Sequence, residues 1–126
     1  MKKLMPGLLL LAAGHAAAAP LFIQAWPSCD VKTQHDVKGE TGGSIRNPLQ
    51  AHISVRINVL QADISNARKA RHLTEAQSEQ LWRHADLIRK DADGYVKQQG
   101  FLSAAERASY DRKLDAIAGS LCRAVR

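Results

Sequence analysis

The sequence GFLSAAE at residues 100–106 decides the fold, and the segment LTEAQ at residues 73–77 repeats its pattern. Both contain Leu-Ser/Thr-x-x-Glu/Gln, which is typical of a capping box at the start of a helix. In such a box the hydroxyl accepts a hydrogen bond from the backbone N–H three residues later, and the Glu or Gln side chain bonds back to the cap's own N–H. Each segment therefore predicts the end of one helix and the start of the next. The residues predicted to form these caps are Thr74, Gln77, Ser103 and Glu106.

Apolar residues flank the two boxes at alternating steps of four and three, the spacing of one face of a helix. Pro48 suits the first turn of the first helix, with Asn47 as its cap, and this helix is expected to end near His72. Gly100 is expected to end the second helix. The predicted core positions are Ile53, Ile57, Leu60, Ile64 and Ala67, then Leu81, Ala85, Ile88, Ala92 and Tyr95, and finally Tyr110, Leu114, Ile117 and Leu121.

These three segments predict an all-α fold, a small antiparallel three-helix bundle over residues 48–126. Residues 51–59 leave a second interpretation open, because apolar and polar residues alternate there as they would in a strand. We prefer the helix because its pattern continues beyond Val59, where the alternation fails. No other segment of the sequence is suited to pair with such a strand.

The first 18 residues have the features of a secretory signal peptide. Two lysines, a short apolar run and a tail of small residues follow one another, and the apolar run is too short to span a membrane. We expect cleavage after Ala18 and a periplasmic location for the mature protein. Residues 19–47 are rich in Gly, Pro, Ser and Thr, and we expect them to form an N-terminal arm that is mostly loop.

Two cysteines, Cys29 and Cys122, lie near opposite ends of the mature chain. An even number of cysteines in an oxidising compartment indicates a disulfide, and only one pairing exists here. We therefore expect this disulfide to tie the arm to the bundle.

The whole chain carries a formal charge of +6, of which Lys2 and Lys3 belong to the leader. Such a charge is typical of nucleic-acid-binding proteins in the cytosol, but export and the interleaving of basic with acidic residues argue against that class. A basic face remains as an alternative surface for anionic lipids or polysaccharide. It would be formed by Arg107, Arg112, Lys113, Arg123 and Arg126.

The second turn resembles the latter half of an EF-hand loop, with Gly100 and Glu106 at the matching positions. Lys97 would then occupy a ligand position, so we expect no calcium site and regard the turn as a degenerate EF-hand-like turn. The histidines lack metal-ligand spacing, and we expect them to be exposed. The four histidines of the mature chain are His35, His52, His72 and His84. No cofactor is expected.

Catalytic signatures are also absent from the sequence. Asp111 and Asp115 lie one turn apart, but Arg107 and Lys113 are close by, and the simplest interpretation is a solvated face of charged pairs. Short helices offer little room for the cleft that an acid–base pair needs. We expect the protein not to be an enzyme.

Three large apolar side chains lie outside the predicted core positions. They are Trp26, Trp82 and Phe101. Either the disulfide-held arm covers Trp82, with Trp26 nearby, or these groups form an exposed groove for a partner.

The repeated LTEAQ and LSAAE units resemble those of a class of small exported proteobacterial helical proteins of unknown activity, over about residues 56–123. The LTEAQ unit is also similar to the Leu-Thr-x-x-Gln motif of Spy/CpxP-type periplasmic stress proteins. That resemblance implies an all-α fold and ATP-independent binding of clients by a cradle-shaped homodimer. The chain departs from that family in its low methionine content and its end-to-end disulfide.

The leading hypothesis for function is a non-enzymatic periplasmic interaction protein, stress-associated or chaperone-like, that binds an unidentified protein partner or client. One alternative is an inhibitor or immunity protein that inserts the 19–47 arm into a target. The other is a protein that binds the envelope surface through its basic residues.

Overall fold

The computed structural model describes residues 18–126, with side chains from Leu21 onward. The predicted signal peptide, apart from its last residue, lies outside this part of the chain. The elements are α1 (Ala18–Ala25), a 3-10 turn (Pro27–Cys29), α2 (Val31–Asp36), α3 (Pro48–Lys69), α4 (Glu75–Gln99) and α5 (Ala104–Val125). The all-α prediction is confirmed, since residues 18–126 contain no strand beyond an isolated bridge between Gly42 and Ile45. None of the helices in this range is both long and apolar enough to cross a membrane.

The first long helix, α3, includes residues 51–59, so the helical interpretation of this segment is correct and the strand alternative is wrong. Asn47 caps it, since its side-chain oxygen accepts hydrogen bonds from the backbone N–H groups of Leu49 and Gln50 at 3.1 and 3.0 Å. The helix ends at Lys69, slightly before the expected His72. Helix boundaries are the least certain feature of a periodic pattern, because fraying leaves the last turn weakly determined.

The two predicted caps differ in completeness. At the start of α4, Thr74 and Gln77 form both reciprocal hydrogen bonds of a capping box, at 3.1 and 2.9 Å. Gly100 ends α4 with a left-handed φ of 86°, a conformation that side chains with a Cβ atom disfavour. At the start of α5, Ser103 accepts from the N–H of Glu106, but the Glu106 carboxylate accepts from the Ser103 hydroxyl and from Gln99.

The core lies where α3, α4 and α5 pack together. All predicted core positions of α3 and α5 are buried. On α4 the prediction is wrong at its last position: Tyr95 is 43% exposed, and Val96 packs against the core instead. The step after Ala92 is therefore four residues rather than three. The leucines that open the two capping segments, Leu73 and Leu102, are also buried in the core, so each turn is anchored by its own leucine.

The N-terminal arm contains more helix than the expected loop. Helices α1 and α2 and the 3-10 turn occupy much of it, and the irregular part is confined to residues 37–47. Asp30 caps α2 by accepting from the backbone N–H of Thr33. A helix of six residues is too short to show an apolar period, which explains why the sequence pattern did not reveal it.

The disulfide prediction is confirmed. Cys29, at the end of the 3-10 turn, is bonded to Cys122 on α5, with the two Cα atoms 5.8 Å apart. Phe22 and Trp26 pack against the core beside it. The arm is therefore attached to the helices by a covalent bond and by apolar contacts.

Candidate functional site

A mainly apolar groove lies between α4 and α5, with a volume of about 590 Å³. Among its lining residues, Leu87 is 59% exposed, and Ile88 and Ile117 form part of the buried core beneath. An apolar groove with a few polar groups is the usual form of a binding site for an apolar ligand or segment. The lining residues are Leu81, His84, Leu87, Ile88, Asp91, Tyr110, Lys113, Ala116, Ile117 and Ser120.

Polar groups are fixed in the same groove. The Tyr110 hydroxyl donates a hydrogen bond of 2.6 Å to the Asp91 carboxylate, which joins α5 to α4. Burial raises the pKa of the Tyr110 phenol, and the hydrogen bond to Asp91 raises this pKa further. The phenol therefore remains a donor throughout the physiological range. The ammonium group of Lys113 lies 5.5 Å from the centre of the Tyr110 ring, and within residues 18–126 it forms no ion pair.

The three large apolar residues predicted as a partner surface do not share one patch. Trp26 is partly buried against the core and contacts His72 edge to face, with ring centres 5.9 Å apart. Trp82 and Phe101 are exposed on α4 and just after it. Their separation of 19 residues along the helix axis corresponds to roughly 28 Å. The structure places neither of them in the groove lining, where the exposed apolar side chain is Leu87.

A buried cluster of charged residues joins α3 to α5, and the sequence interpretation of these residues was wrong. His52 and Arg56 on α3 and Asp111 on α5 are each at most 3% exposed. Arg56 donates to Asp111 at 2.9 Å and to Asp115 at 2.9 Å. The pair Asp111 and Asp115 is therefore not a solvated face, and His52 is not an exposed histidine.

The ring of His52 bridges two elements. Its Nε2 atom lies 2.8 Å from an Asp111 carboxylate oxygen, and its Nδ1 atom lies 2.6 Å from the backbone oxygen of Val37. Both facing atoms are acceptors, so the imidazolium form, which donates from both nitrogens, satisfies this geometry completely. Burial alone would raise the pKa of Asp111, but the hydrogen bonds from His52 and Arg56 outweigh it and lower the pKa.

The edge of the cluster reaches the arm. His35 on α2 lies 2.7 Å from an Asp115 oxygen, and the Arg107 guanidinium contacts both Asp111 and the backbone oxygen of His35. The expected Arg107–Asp111 pair is therefore present, but it is part of a larger network. His72 and His84 are exposed, as expected. The cluster fixes α2 and the following loop against α3 and α5.

A second buried carboxylate holds the 3-10 turn. Asp63 on α3 is buried and accepts hydrogen bonds from both the backbone N–H and the hydroxyl of Ser28, at 2.9 and 2.6 Å. Because Ser28 directly precedes Cys29, this contact positions the disulfide. Neither residue stands out in the sequence, since an aspartate within an apolar-periodic helix is normally assigned to the solvent side.

The spacing of the residues in the charged cluster could have revealed it. On α3, His52 and Arg56 lie one turn apart and each precedes a core isoleucine. On α5, Asp111 and Asp115 lie one turn apart and each follows a core residue. Polar residues that repeat at the helical period beside core positions on two helices are the pattern from which a contact between those helices could have been inferred.

The turn that resembles an EF-hand loop is occupied by its own hydrogen bonds. The Glu106 carboxylate accepts from Gln99 and from Ser103, and these two bonds lower the pKa of Glu106. Within residues 18–126 no group of three or more His, Cys, Asp or Glu side chains is arranged to hold a metal ion. The geometry of the turn is that of a helix cap.

Comparisons of the chain with protein-family models, with curated proteins and with solved structures found no match. The resemblance of the LTEAQ unit to Spy/CpxP-type proteins therefore stays a prediction. The features on which a function can be argued are the apolar groove between α4 and α5 and the arm that the disulfide holds in place.

Proposed function

We propose that this chain is a non-enzymatic interaction protein of the periplasm, chaperone-like in that it binds an apolar segment of another protein in the groove between α4 and α5. One observation carries this proposal. Leu87 is a large apolar side chain that is 59% exposed in the lining of a groove of about 590 Å³. An exposed leucine in a concave surface is unfavourable in water, and the free energy falls when an apolar partner covers it.

The charges of the groove indicate the chemistry of the occupant. Asp91 already accepts from Tyr110, whereas Lys113 forms no ion pair within the described residues. A partner segment with an apolar stripe and an acidic residue beside it would match both the leucine and the lysine. The buried charged cluster lies on the other contact, between α3 and α5, and its residues do not line the groove.

The architecture proposed for this function is an antiparallel three-helix bundle. The short connections at residues 70–74 and 100–103 support it, because connections of this length bring consecutive helices back alongside one another. Export is supported by the signal-like leader and is consistent with the disulfide, which requires an oxidising compartment. The same groove offers a surface for a homodimer, in line with the cradle-shaped dimers of Spy-type proteins.

The two alternatives have less support. An inhibitory arm needs a protruding segment, but Phe22, Trp26 and Cys29 pack against the core. A basic envelope-binding face would use Arg107, which is engaged with Asp111 and with the arm. In the groove, Leu87 is exposed and Lys113 forms no ion pair within residues 18–126, so the groove is the better-supported surface.

The test compares two exposed leucines. Leu87→Glu places a charge in the groove, whereas Leu21→Glu places the same charge on α1, at a leucine of similar exposure. The mature protein is mixed with a heat-denatured model client, and light scattering reports aggregation of the client. We expect the wild type and Leu21→Glu to suppress aggregation and Leu87→Glu to lose most of this effect.

Two outcomes would contradict the proposal. If the wild type leaves aggregation unchanged at molar excess over the client, the chaperone-like function is wrong. If both glutamate variants suppress aggregation equally, the groove is not the binding surface. Sedimentation of the wild type and Leu87→Glu over a range of concentrations shows whether a second copy occupies the groove.

A further inference from the structure

A second concave surface carries more charged side chains than the apolar groove. It is a cleft of mixed polarity, about 560 Å³ in volume, between the end of the arm loop, the first turns of α3 and the second half of α4. Three of its side chains are cationic and only one is anionic. The lining residues are Ser44, Ile45, Arg46, Asn47, Gln50, Ser54, Arg89, Asp93, Val96, Lys97 and Gly100.

Two of the three cations in the cleft lack a counter-ion. Within residues 18–126 Arg46 and Lys97 form no ion pair, whereas Arg89 forms a long one with Asp86, at 4.0 Å. The single carboxylate of the cleft, Asp93, accepts a hydrogen bond of 2.9 Å from Gln50. Like charges gathered in one cleft raise its potential and attract anions.

The Arg89 guanidinium is held in place by neutral groups. It donates to the side-chain oxygens of Ser54, Asn58 and Gln61 on α3, at 3.2, 2.7 and 3.1 Å. These acceptors fix the orientation of the guanidinium without neutralising its charge. Three of its five N–H groups are used in this way and the Nε–H faces Asp86, which leaves one N–H for a ligand. A fixed cation binds an anion at less entropic cost than a mobile one.

The start of α3 adds to the potential of the cleft. A helix carries about half a positive charge at its N-terminus, and α3 is 22 residues long. The backbone N–H groups of Leu49 and Gln50 already donate to the Asn47 side chain. The helix start therefore contributes to the electrostatic potential of the cleft but donates no hydrogen bond from these two groups to a ligand.

We propose that this cleft binds a phosphate group carried on a small polar molecule. The three cations and Asp93 sum to a net charge of +2, which a phosphomonoester, with a charge of about −1.5 to −2 at neutral pH, neutralises more fully than a carboxylate does. Arginine side chains match phosphate oxygens in pairs. Serine and amide side chains around the cations suit the hydroxyls of a sugar or glycerol body rather than an apolar chain.

The experiment titrates inorganic phosphate into the full mature protein at constant ionic strength, with acetate as the comparison anion, and follows backbone amide shifts by NMR. We expect saturable shifts at residues of the cleft with phosphate and much weaker ones with acetate. Arg46→Ala and Lys97→Ala are each expected to weaken phosphate binding about tenfold, because each removes one charge-assisted contact. Both residues are exposed, so the fold is expected to be unaffected.

Lys69→Ala is the matched control, since Lys69 is an exposed lysine at the opposite end of α3, roughly 30 Å from the cleft. It should leave phosphate binding unchanged. Equal weakening by Lys69→Ala, or equal binding of acetate and phosphate, would show only general attraction to a basic protein and would overturn the proposal. Absence of saturable binding would overturn it as well.

Two further probes distinguish the source of the phosphate. Glucose 6-phosphate represents a soluble ligand, and phosphatidylcholine vesicles with and without phosphatidic acid represent a lipid headgroup. Tighter binding of glucose 6-phosphate than of inorganic phosphate, sensitive to Lys97→Ala, would assign the cleft to a soluble phosphorylated molecule. Vesicle binding that requires phosphatidic acid and is lost in Lys97→Ala would assign it to lipid.

Discussion

At the scale of single residues, Asp111 is a carboxylate enclosed by other charged side chains. Its carboxylate is 2% exposed and contacts His52, Arg56 and Arg107. Removing a charge from water is costly, and the cost is offset only while each buried charge keeps its partners. This network is therefore better understood as a device that fixes one arrangement of α2, α3 and α5 than as a large source of stability.

The first prediction follows from the cost of leaving a buried charge without its partner. Asp111→Asn leaves His52 buried without its carboxylate partner and Arg56 with Asp115 as its remaining anion, and we expect a loss of about 3–5 kcal/mol in the free energy of unfolding. Urea denaturation followed by circular dichroism measures it. Glu79→Gln is the control, because its partner Arg83 is 73% exposed and exposed ion pairs contribute less than about 1 kcal/mol. Similar losses in the two variants would show that burial does not govern the effect.

The same residue predicts a dependence on pH. The pKa of Asp111 is lower in the folded protein than its ordinary value, so its contribution to stability is present above about pH 4 and is lost as the pH falls through the folded value. The wild type is therefore expected to lose stability in acid more steeply than Asp111→Asn. Parallel acid profiles of the two proteins would contradict this assignment.

At the scale of elements, the two turns are determined locally and the helices they join are determined by packing. Each turn has a hydroxyl cap on one side and a buried leucine, Leu73 or Leu102, that anchors it in the core. The caps satisfy backbone N–H groups that a helix start leaves free, and the leucines fix where the chain re-enters the core. This combination explains why the sequence predicted both helix starts correctly.

The third prediction tests one of these caps. Ser103→Ala removes the acceptor for the Glu106 backbone N–H, which lies 3.1 Å from the serine oxygen, and we expect a loss of about 1 kcal/mol. Thermal unfolding measures it. Ser109→Ala, within the same helix, has no cap to remove and should change stability by less than about 0.5 kcal/mol. An unchanged melting temperature in Ser103→Ala would mean that α5 begins at another residue.

At the scale of the whole molecule, the sequence predicted contacts that follow from periodicity and failed for contacts between distant polar residues. Core positions such as Ile57 and Leu114 have an apolar spacing that determines which face is buried. Asp63 and Ser28 have no such pattern, because their pairing depends on where the disulfide brings the arm. The exposure of Leu87 could likewise not be predicted from the sequence, since a leucine next to a core isoleucine is normally buried with it.

The last prediction concerns the disulfide, which closes the longest loop of the fold. Cys29 and Cys122 are 93 residues apart, and in the chain-entropy model such a loop contributes about 4–5 kcal/mol by restricting the unfolded chain. For a domain of this size that is a large share of the total stability, which is typically about 5–15 kcal/mol. We therefore expect the Cys29→Ser/Cys122→Ser double variant to unfold at a much lower urea concentration.

The double variant should also loosen the arm more than the helices. Hydrogen exchange is expected to rise first in residues 22–36, which the bond attaches to α5, while the core of α3 and α4 stays protected until global unfolding. Adding reductant to the wild type should reproduce this pattern, and adding it to the double variant should change nothing. A wild type with unchanged stability after reduction would show that Asp63 and the packing of Trp26 hold the arm without the covalent bond.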